Sequence, residues 1–235
     1  MIVIDGVSKS RGRARILHEV SFEARPGRVT GFLGPNGAGK TSTLRILLGL
    51  DRAGGGTALI DGRPYPAWDR PLTVAGALLD GSGAHRARTA RAHLRWMAAS
   101  NGIARGRVDE VLDLVGLSAD AGKRAGRFSL GMSRRLGLAT ALLGDPPVLI
   151  LDEPVNGLDP AGIRWMRAFL RDSADRGRTV LLSSHLMGEL AEIADDVVII
   201  DHGRVVARGT LAEVTGGHPT LEDAFLALTA AGQPW

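Results

Sequence analysis

The sequence predicts an α/β fold, because short apolar β-like runs alternate with stretches of helical periodicity along most of the chain. The runs fall at 2–4, 20–22, 29–33, 57–60, 76–79, 148–151, 179–183 and 197–200. Several are apolar without a break, as expected of parallel strands covered on both faces. Helical patterns stand between them at 41–48, 89–101, 108–115, 132–143, 161–174 and 186–193. From 82 to 143 the strands stop and helical periodicity takes over, so a helical lobe is expected to be inserted in the α/β core. At 219–230, Leu221, Ala224, Phe225 and Leu228 share one face of a last amphipathic helix. No internal repeat or low-complexity tract divides the chain, and a single domain over 1–235 is expected.

Composition narrows the function classes. A chain of 235 residues, 44% hydrophobic and 23% charged, has the balance of a globular protein. Aromatics make up only 4%, so the core must rest on Leu, Val, Ile and Ala. Cysteine is absent, which excludes disulfides, thiolate zinc sites and cysteine nucleophiles. The net charge of +4 is spread along the chain, and no basic run is interleaved with aromatics, so no nucleic-acid partner is expected. Asp5 brings a charge within five residues of Met1, unlike a signal peptide. No window of 18 uncharged apolar residues occurs, so any membrane role is expected to come through a partner.

The densest chemistry lies in Gly34-Pro35-Asn36-Gly37-Ala38-Gly39-Lys40-Thr41, which fits G-x-x-x-x-G-K-[ST]. A strand pattern precedes it, and a helical one, continuing through Ser42, follows. Glycines let successive backbone N–H groups turn inward around phosphate oxygens. Lys40 is then expected to reach the β- and γ-phosphates, and Thr41 to offer a hydroxyl to Mg²⁺. The helix N-terminus adds partial positive charge. The bland alternative, a glycine-rich turn, does not account for the lysine and threonine at these positions.

The run 148–151 ends in Asp152 and Glu153. Strand C-termini line the ligand crevice of an α/β sheet, so Asp152 is placed to hold Mg²⁺ directly or through water. Glu153 is expected to point elsewhere, since side chains alternate along a strand, and to polarise an attacking water. His185 follows another strand end, where it can reach a γ-phosphate or that water. His202 and His218 have no such setting.

In this order the features resemble the ATP-binding cassette (ABC) family over nearly the whole chain. Walker A is 34–41, Walker B is 149–153, a D-loop-like Asn156-Gly157-Leu158-Asp159 follows, and His185 matches the H-loop. Between the Walker motifs, Phe128-Ser129-Leu130-Gly131-Met132-Ser133-Arg134-Arg135, at the start of a helix, is similar to a variant of the family's LSGGQ signature. The resemblance implies a P-loop NTPase core with a mixed, RecA-like sheet, an N-terminal antiparallel β subdomain and the inserted helical lobe. It implies ATP and Mg²⁺ as ligands, and two copies packed head to tail around two ATP molecules. Ser129 and Gly131 of one copy would then close on the γ-phosphate held by the other, with Asp159 at the same interface. A separate multi-spanning permease would take up the motion through the groove beside the lobe. The chain would sit at the cytoplasmic face of a bacterial membrane.

The departures from the family pattern are specific. Leu130 and Met132 replace Gly and Gln of the common signature. Their form is similar to that of bacterial drug and antibiotic exporters of the bacitracin- and daunorubicin-resistance type. The Gln-loop position holds Asp80, a candidate for Mg²⁺ or water. Where an aromatic usually stacks on adenine stands Arg11, whose guanidinium plane can stack on a base. The basic segment from His85 to Arg91 suits either a docking face or a solvated helix start. A cassette ATPase acting on nucleic acid or ribosomes is the competing reading, but coiled-coil arms, zinc modules and a second cassette are missing. A P-loop kinase or GTPase is disfavoured by the signature-like segment and by the absence of an N-K-x-D guanine reader.

Overall fold

Val, Ile and Leu favour extended backbone where both faces of a sheet are covered, and the central strands are built from them. In a computed structural model, which describes residues 1–79 and 82–230, the elements run in a definite order. Strands β1 (Ile2–Arg11), β2 (Ala14–Ala24) and β3 (Val29–Leu33) lead into helix α1 (Lys40–Leu47), then β4 (Gly55–Ile60) and β5 (Ala75–Leu78). Helices α2 (Ala90–Ser100), α3 (Arg107–Leu114) and α4 (Leu130–Leu142) follow without an intervening strand among the described residues. Next come β6 (Val148–Asp152), α5 (Pro160–Asp175), β7 (Thr179–Ser184), α6 (Met187–Ala191), β8 (Asp196–Asp201) and β9 (Arg204–Thr210). Helices α7 (Leu211–Thr215) and α8 (Leu221–Ala230) close the described chain.

The strands form two sheets. One is antiparallel, in the order β2-β1-β4; the other is mixed, in the order β5-β6-β7-β3-β8-β9. From β5 to β8 the second sheet is parallel, and β9 adds an antiparallel edge. This is the expected α/β class, with a separate antiparallel sheet. Strands β1 and β2 extend well past the apolar stretches at 2–4 and 20–22, because their outer halves pair through polar, exposed residues such as Ser10 and Arg15. Strand β9 and helix α7 were not expected from the sequence. Strand β9 is an edge with alternating exposure, and α7 has only five residues.

Both faces of the central strands of the mixed sheet are buried, and alternation along β6 shows how. Leu149 and Leu151 join a cluster with Leu94, Leu136, Leu170 and Val180. Val148 and Ile150 face the other way, into a cluster with Ile2, Ile4, Phe22 and Leu44. All four β6 side chains are fully buried, each stabilising by about 1.5–3 kcal/mol. Asp51 ties the antiparallel sheet to α1, accepting from Lys9 Nζ at 2.5 Å and from Arg45 Nε at 3.0 Å. Those two cations, Arg45 foremost, hold its carboxyl far below the usual range. Among the described residues no helix is long and apolar enough to cross a membrane.

Helix α4 crosses β5 so closely that Gly76 is the residue that fits. A Cβ at Gly76 would stand 1.8 Å from the carbonyl oxygen of Ala141, a backbone atom that cannot swing aside. Gly76→Ala is therefore expected to destabilise the fold by about 1–3 kcal/mol, read by urea unfolding. Gly55→Ala, where nothing lies within 4 Å, should change stability by less than about 0.5 kcal/mol.

Candidate active site

The site begins where β3 stops and the chain turns into α1. Gly37 (φ 84°) and Gly39 (φ 111°) hold left-handed conformations, and Gly39 serves as the helix N-cap without a side chain. Gly34 passes so close to β8 that a Cβ there would meet the Ile200 carbonyl oxygen at 2.2 Å. No acidic residue occupies the first turn of α1, so its N-terminal dipole is left for an anion.

Lys40 is only 6% exposed. Its Nζ donates to the carbonyl oxygens of Gly34 at 2.6 Å and Pro35 at 3.3 Å, which folds the loop around its own lysine. Burial pushes the Lys40 pKa down, while the nearby Glu153 and Asp152 charges oppose that shift. An incoming polyphosphate would oppose it further, so the lysine suits an anionic ligand.

Opposite the loop, Asp152 ends β6 and is 5% exposed. Its Oδ2 accepts from Thr41 Oγ1 at 2.8 Å, and its Oδ1 accepts a short hydrogen bond from Ser183 Oγ. Glu153 leaves the strand with φ 50°, a left-handed conformation unusual for a non-glycine residue. Its N–H donates to the Ser183 carbonyl at 3.2 Å and to Ser183 Oγ at 3.1 Å. The direction of Glu153 is thus set by this kink just beyond the strand, and the strand alternation expected from the sequence is not the cause. His185 Nδ1 lies 2.8 Å from Glu153 Oε2, and Lys40 Nζ lies 4.0 Å from Glu153 Oε1.

A cavity of about 330 Å³ joins these groups. Arg11, Ile16, Pro35, Asn36, Gly37, Gly39, Lys40, Thr41, Ser42, Arg134, Asp152, Glu153 and Asn156 line it. Ala38 turns away into the core, and its carbonyl accepts from Gly203 N–H at 3.0 Å. The remaining sequence candidates lie elsewhere. Ser129 caps α4 by accepting from Met132 N–H at 3.2 Å, Gly131 abuts the Gly157 carbonyl, and Asp159 Oδ1 caps α5 by accepting from Gly162 N–H at 2.8 Å. None of these three lines the cavity. Asp80 lies outside the described residues.

Sequence reasoning missed Ser183, Ile16 and Arg134. For Ser183 a signal existed: a buried strand that turns polar at its C-terminal end points toward the crevice. Ile16 carries no motif, and Arg134 stands in the signature-like segment without an expected role there; only packing places them in the cavity.

A glycine-rich loop between strand and helix, facing strand-end carboxylates across a cavity that also holds a buried lysine, defines a P-loop nucleoside triphosphatase. The family model described as "ABC transporter" matches residues 17–156. An ABC transporter ATP-binding protein of Bacillus subtilis (strain 168), YhcH, is 40% identical over 210 residues, covering 88% of this chain and 68% of its own length. The bacitracin transport ATP-binding protein BcrA of Bacillus licheniformis is 40% identical over 203 residues, or 85% of this chain and 66% of that one. The solved structure of an ATP-binding subunit of an ABC transporter superposes with a TM-score of 0.88 at 25% identity, covering 97% and 99% of the two chains. The chain belongs to the ABC transporter family, as an ATP-binding subunit that hydrolyses ATP.

Ser183 bonds the Asp152 carboxylate and the Glu153 backbone N–H at once. Ser183→Ala is expected to lower ATP turnover by about tenfold while costing about 1 kcal/mol in stability. Steady-state ATPase assays and urea unfolding read the two effects separately, and unchanged turnover would contradict the supporting role.

Proposed function

We propose that the chain drives a bacterial exporter by closing with a second copy around ATP and reopening on hydrolysis. The observation that carries this reading is a division of the motifs. Lys40, Thr41, Asp152 and Glu153 meet in one cavity, with His185 bonded to Glu153, whereas Ser129 and Gly131 lie outside it on an accessible helix end. A hydroxyl, backbone N–H groups and a helix N-terminus suit a phosphate, and a second copy would bring them one. Asp159, capping α5 beside that surface, belongs to the same interface.

The donor set fits Mg²⁺. Among the described residues the buried Asp152 side chain accepts from the hydroxyls of Thr41 and Ser183, an oxygen-rich setting that suits a hard cation. No cluster of three His, Cys, Asp or Glu suited to a metal occurs among the described residues. That agrees with a hard cation held by Asp152, Thr41 and the substrate's own phosphates. Bound there, Mg²⁺ neutralises charge on the terminal phosphates.

Lys40 and the loop N–H groups of 34–42 hold the β- and γ-phosphates, and Arg11 and Ile16 face the adenine end. Glu153 takes a proton from the water that attacks the γ-phosphorus. The bond to the bridging oxygen then breaks, leaving ADP and inorganic phosphate. His185 orients Glu153 through Nδ1, and its Nε2 serves the γ-phosphate. Asp80, at the Gln-loop position, is proposed as a further ligand for Mg²⁺ or water.

Coupling to a separate multi-spanning permease is proposed through a groove of about 390 Å³ lined by Leu50, Leu72, Leu79, Trp96 and Met97. Leu50 and Trp96 are 57% and 53% exposed there, and Arg88 covers the Trp96 ring at 4.5 Å. Large exposed apolar side chains in a groove mark a partner surface. A permease seated there would hold the chain at the cytoplasmic face of the membrane. Export as the direction is supported by the signature variant from Ser129 to Met132 and by the bacitracin-transport relative.

Glu153→Gln keeps the shape and removes the base. Its ATP turnover should fall by about 100-fold or more while ATP binding persists. Light scattering should show that ATP increases the dimer population of this variant, with the permease present if the isolated chain stays monomeric. Hydrolysis at the wild-type rate would remove Glu153 from the base role.

A further inference from the structure

We propose that Arg134 binds the γ-phosphate of the ATP held by its own chain, so that the signature helix contacts both nucleotides of the closed dimer. The proposal rests on the ATP-sandwich reading and extends it to a residue of the signature-like segment to which the resemblance gave no role. Arg134 lies in α4, yet it lines the same cavity as Lys40, Thr41, Asp152 and Glu153. One edge of its guanidinium is anchored, with Nη1 donating to the Leu79 carbonyl at 3.0 Å. Its Nε is buried and has no acceptor among the described residues. The side chain as a whole is half-buried and lines the cavity, so the free edge of its guanidinium is what a phosphate oxygen there would meet.

The anchor also places Arg134 along the nucleotide. Strands β5 and β6 pair Leu78 with Leu151, so Leu79 stands beside Asp152 at the carboxylate end of the cavity. Arg11 and Ile16, from the β1–β2 hairpin, form the other wall. Arg134 is therefore on the side of the terminal phosphate and the attacking water, away from the base. At this end of the cavity it adds a cation to Lys40, beside Asp152 and Glu153. ADP lacks the group that Arg134 would bind.

Position in the helix gives the contact a second consequence. Ser129 caps α4 and Arg134 follows five residues later, about 7.5 Å along the axis. Ser129 and Gly131 would reach the γ-phosphate on the second copy, and Arg134 the one in its own loop. A rotation of the helical lobe that withdraws one contact withdraws the other, so hydrolysis at either site loosens the same helix.

The test compares a non-hydrolysable ATP analogue with ADP, each with Mg²⁺, by equilibrium binding to the full chain. Arg134→Ala should weaken the analogue by about tenfold or more and ADP by less than about twofold. Arg134→Gln can keep the bond to the Leu79 carbonyl without the charge, and should lose as much analogue affinity as Arg134→Ala; Arg134→Lys should recover part of it. Equal weakening of both nucleotides, or of neither, would overturn the assignment, as would full affinity in Arg134→Gln. Lys40→Ala serves as the control for the underlying reading, and should weaken both nucleotides strongly. If wild type binds neither nucleotide, the ATP site itself fails; if it binds both and Arg134→Ala does not discriminate, only the Arg134 assignment fails.

Discussion

Asp152, Ser183 and Phe32 stand side by side on three adjacent parallel strands, and the chemistry of the site depends on that register. Pairing of Asp152 with Ser183 puts a hydroxyl against the carboxylate, and pairing of Ser184 with Leu33 brings the start of the phosphate loop to the same sheet edge. Because side chains alternate, a slip of one residue would turn every buried side chain of β6 to the wrong face. Burial on both faces therefore enforces the register, and the register aligns the reacting groups. At the opposite end, Arg28 clamps Asp196 with two bonds of 2.6 Å, and Asp195 accepts from Val29 N–H at 2.8 Å. Those contacts lock the start of β3 to β8.

From this edge each functional side chain acquires a stated constraint. Lys40 cannot leave, because its ammonium holds the loop's own carbonyls. The buried Asp152 side chain is held by hydroxyls from two directions, Thr41 and Ser183. Glu153 reaches His185 through a strained left-handed turn whose N–H is bonded twice to Ser183. Strain of this sort costs about 1–3 kcal/mol and persists where neighbours over-determine it. Ser183 is such a neighbour, and it sits outside every motif.

What the sequence made legible follows the same physics. Continuous apolar runs revealed the central strands because burial on both faces leaves no polar residue to blur them. The phosphate loop and the strand-end acids were legible because their chemistry demands fixed residue types at fixed spacing. Edges were harder to read. Strand β9 alternates exposed and half-buried residues, and the outer halves of β1 and β2 are polar, so neither stands out from a loop. The kink at Glu153 has no signature in a residue that is not glycine. Arg134 was invisible for another reason: the docking of α4 against β5, made possible by Gly76, decides what it meets.

On the proposed reading, the cavity around Lys40 is half of a site. Among the described residues of one chain, Ser129 accepts from the Met132 and Ser133 N–H groups and Gly131 approaches the Gly157 carbonyl, and neither lines the cavity. On that reading the phosphate loop is tied to assembly, and its turnover to a second copy's helix. Mixing two inactive variants tests this most directly. One carries Lys40→Ala and keeps its signature residues; the other carries Gly131→Asp and keeps its phosphate loop. ATPase activity measured on the mixture, with the permease present, should exceed that of either variant alone, because a mixed dimer assembles one intact composite site. A mixture no more active than its components, or Gly131→Asp alone turning over ATP like wild type, would contradict the claim.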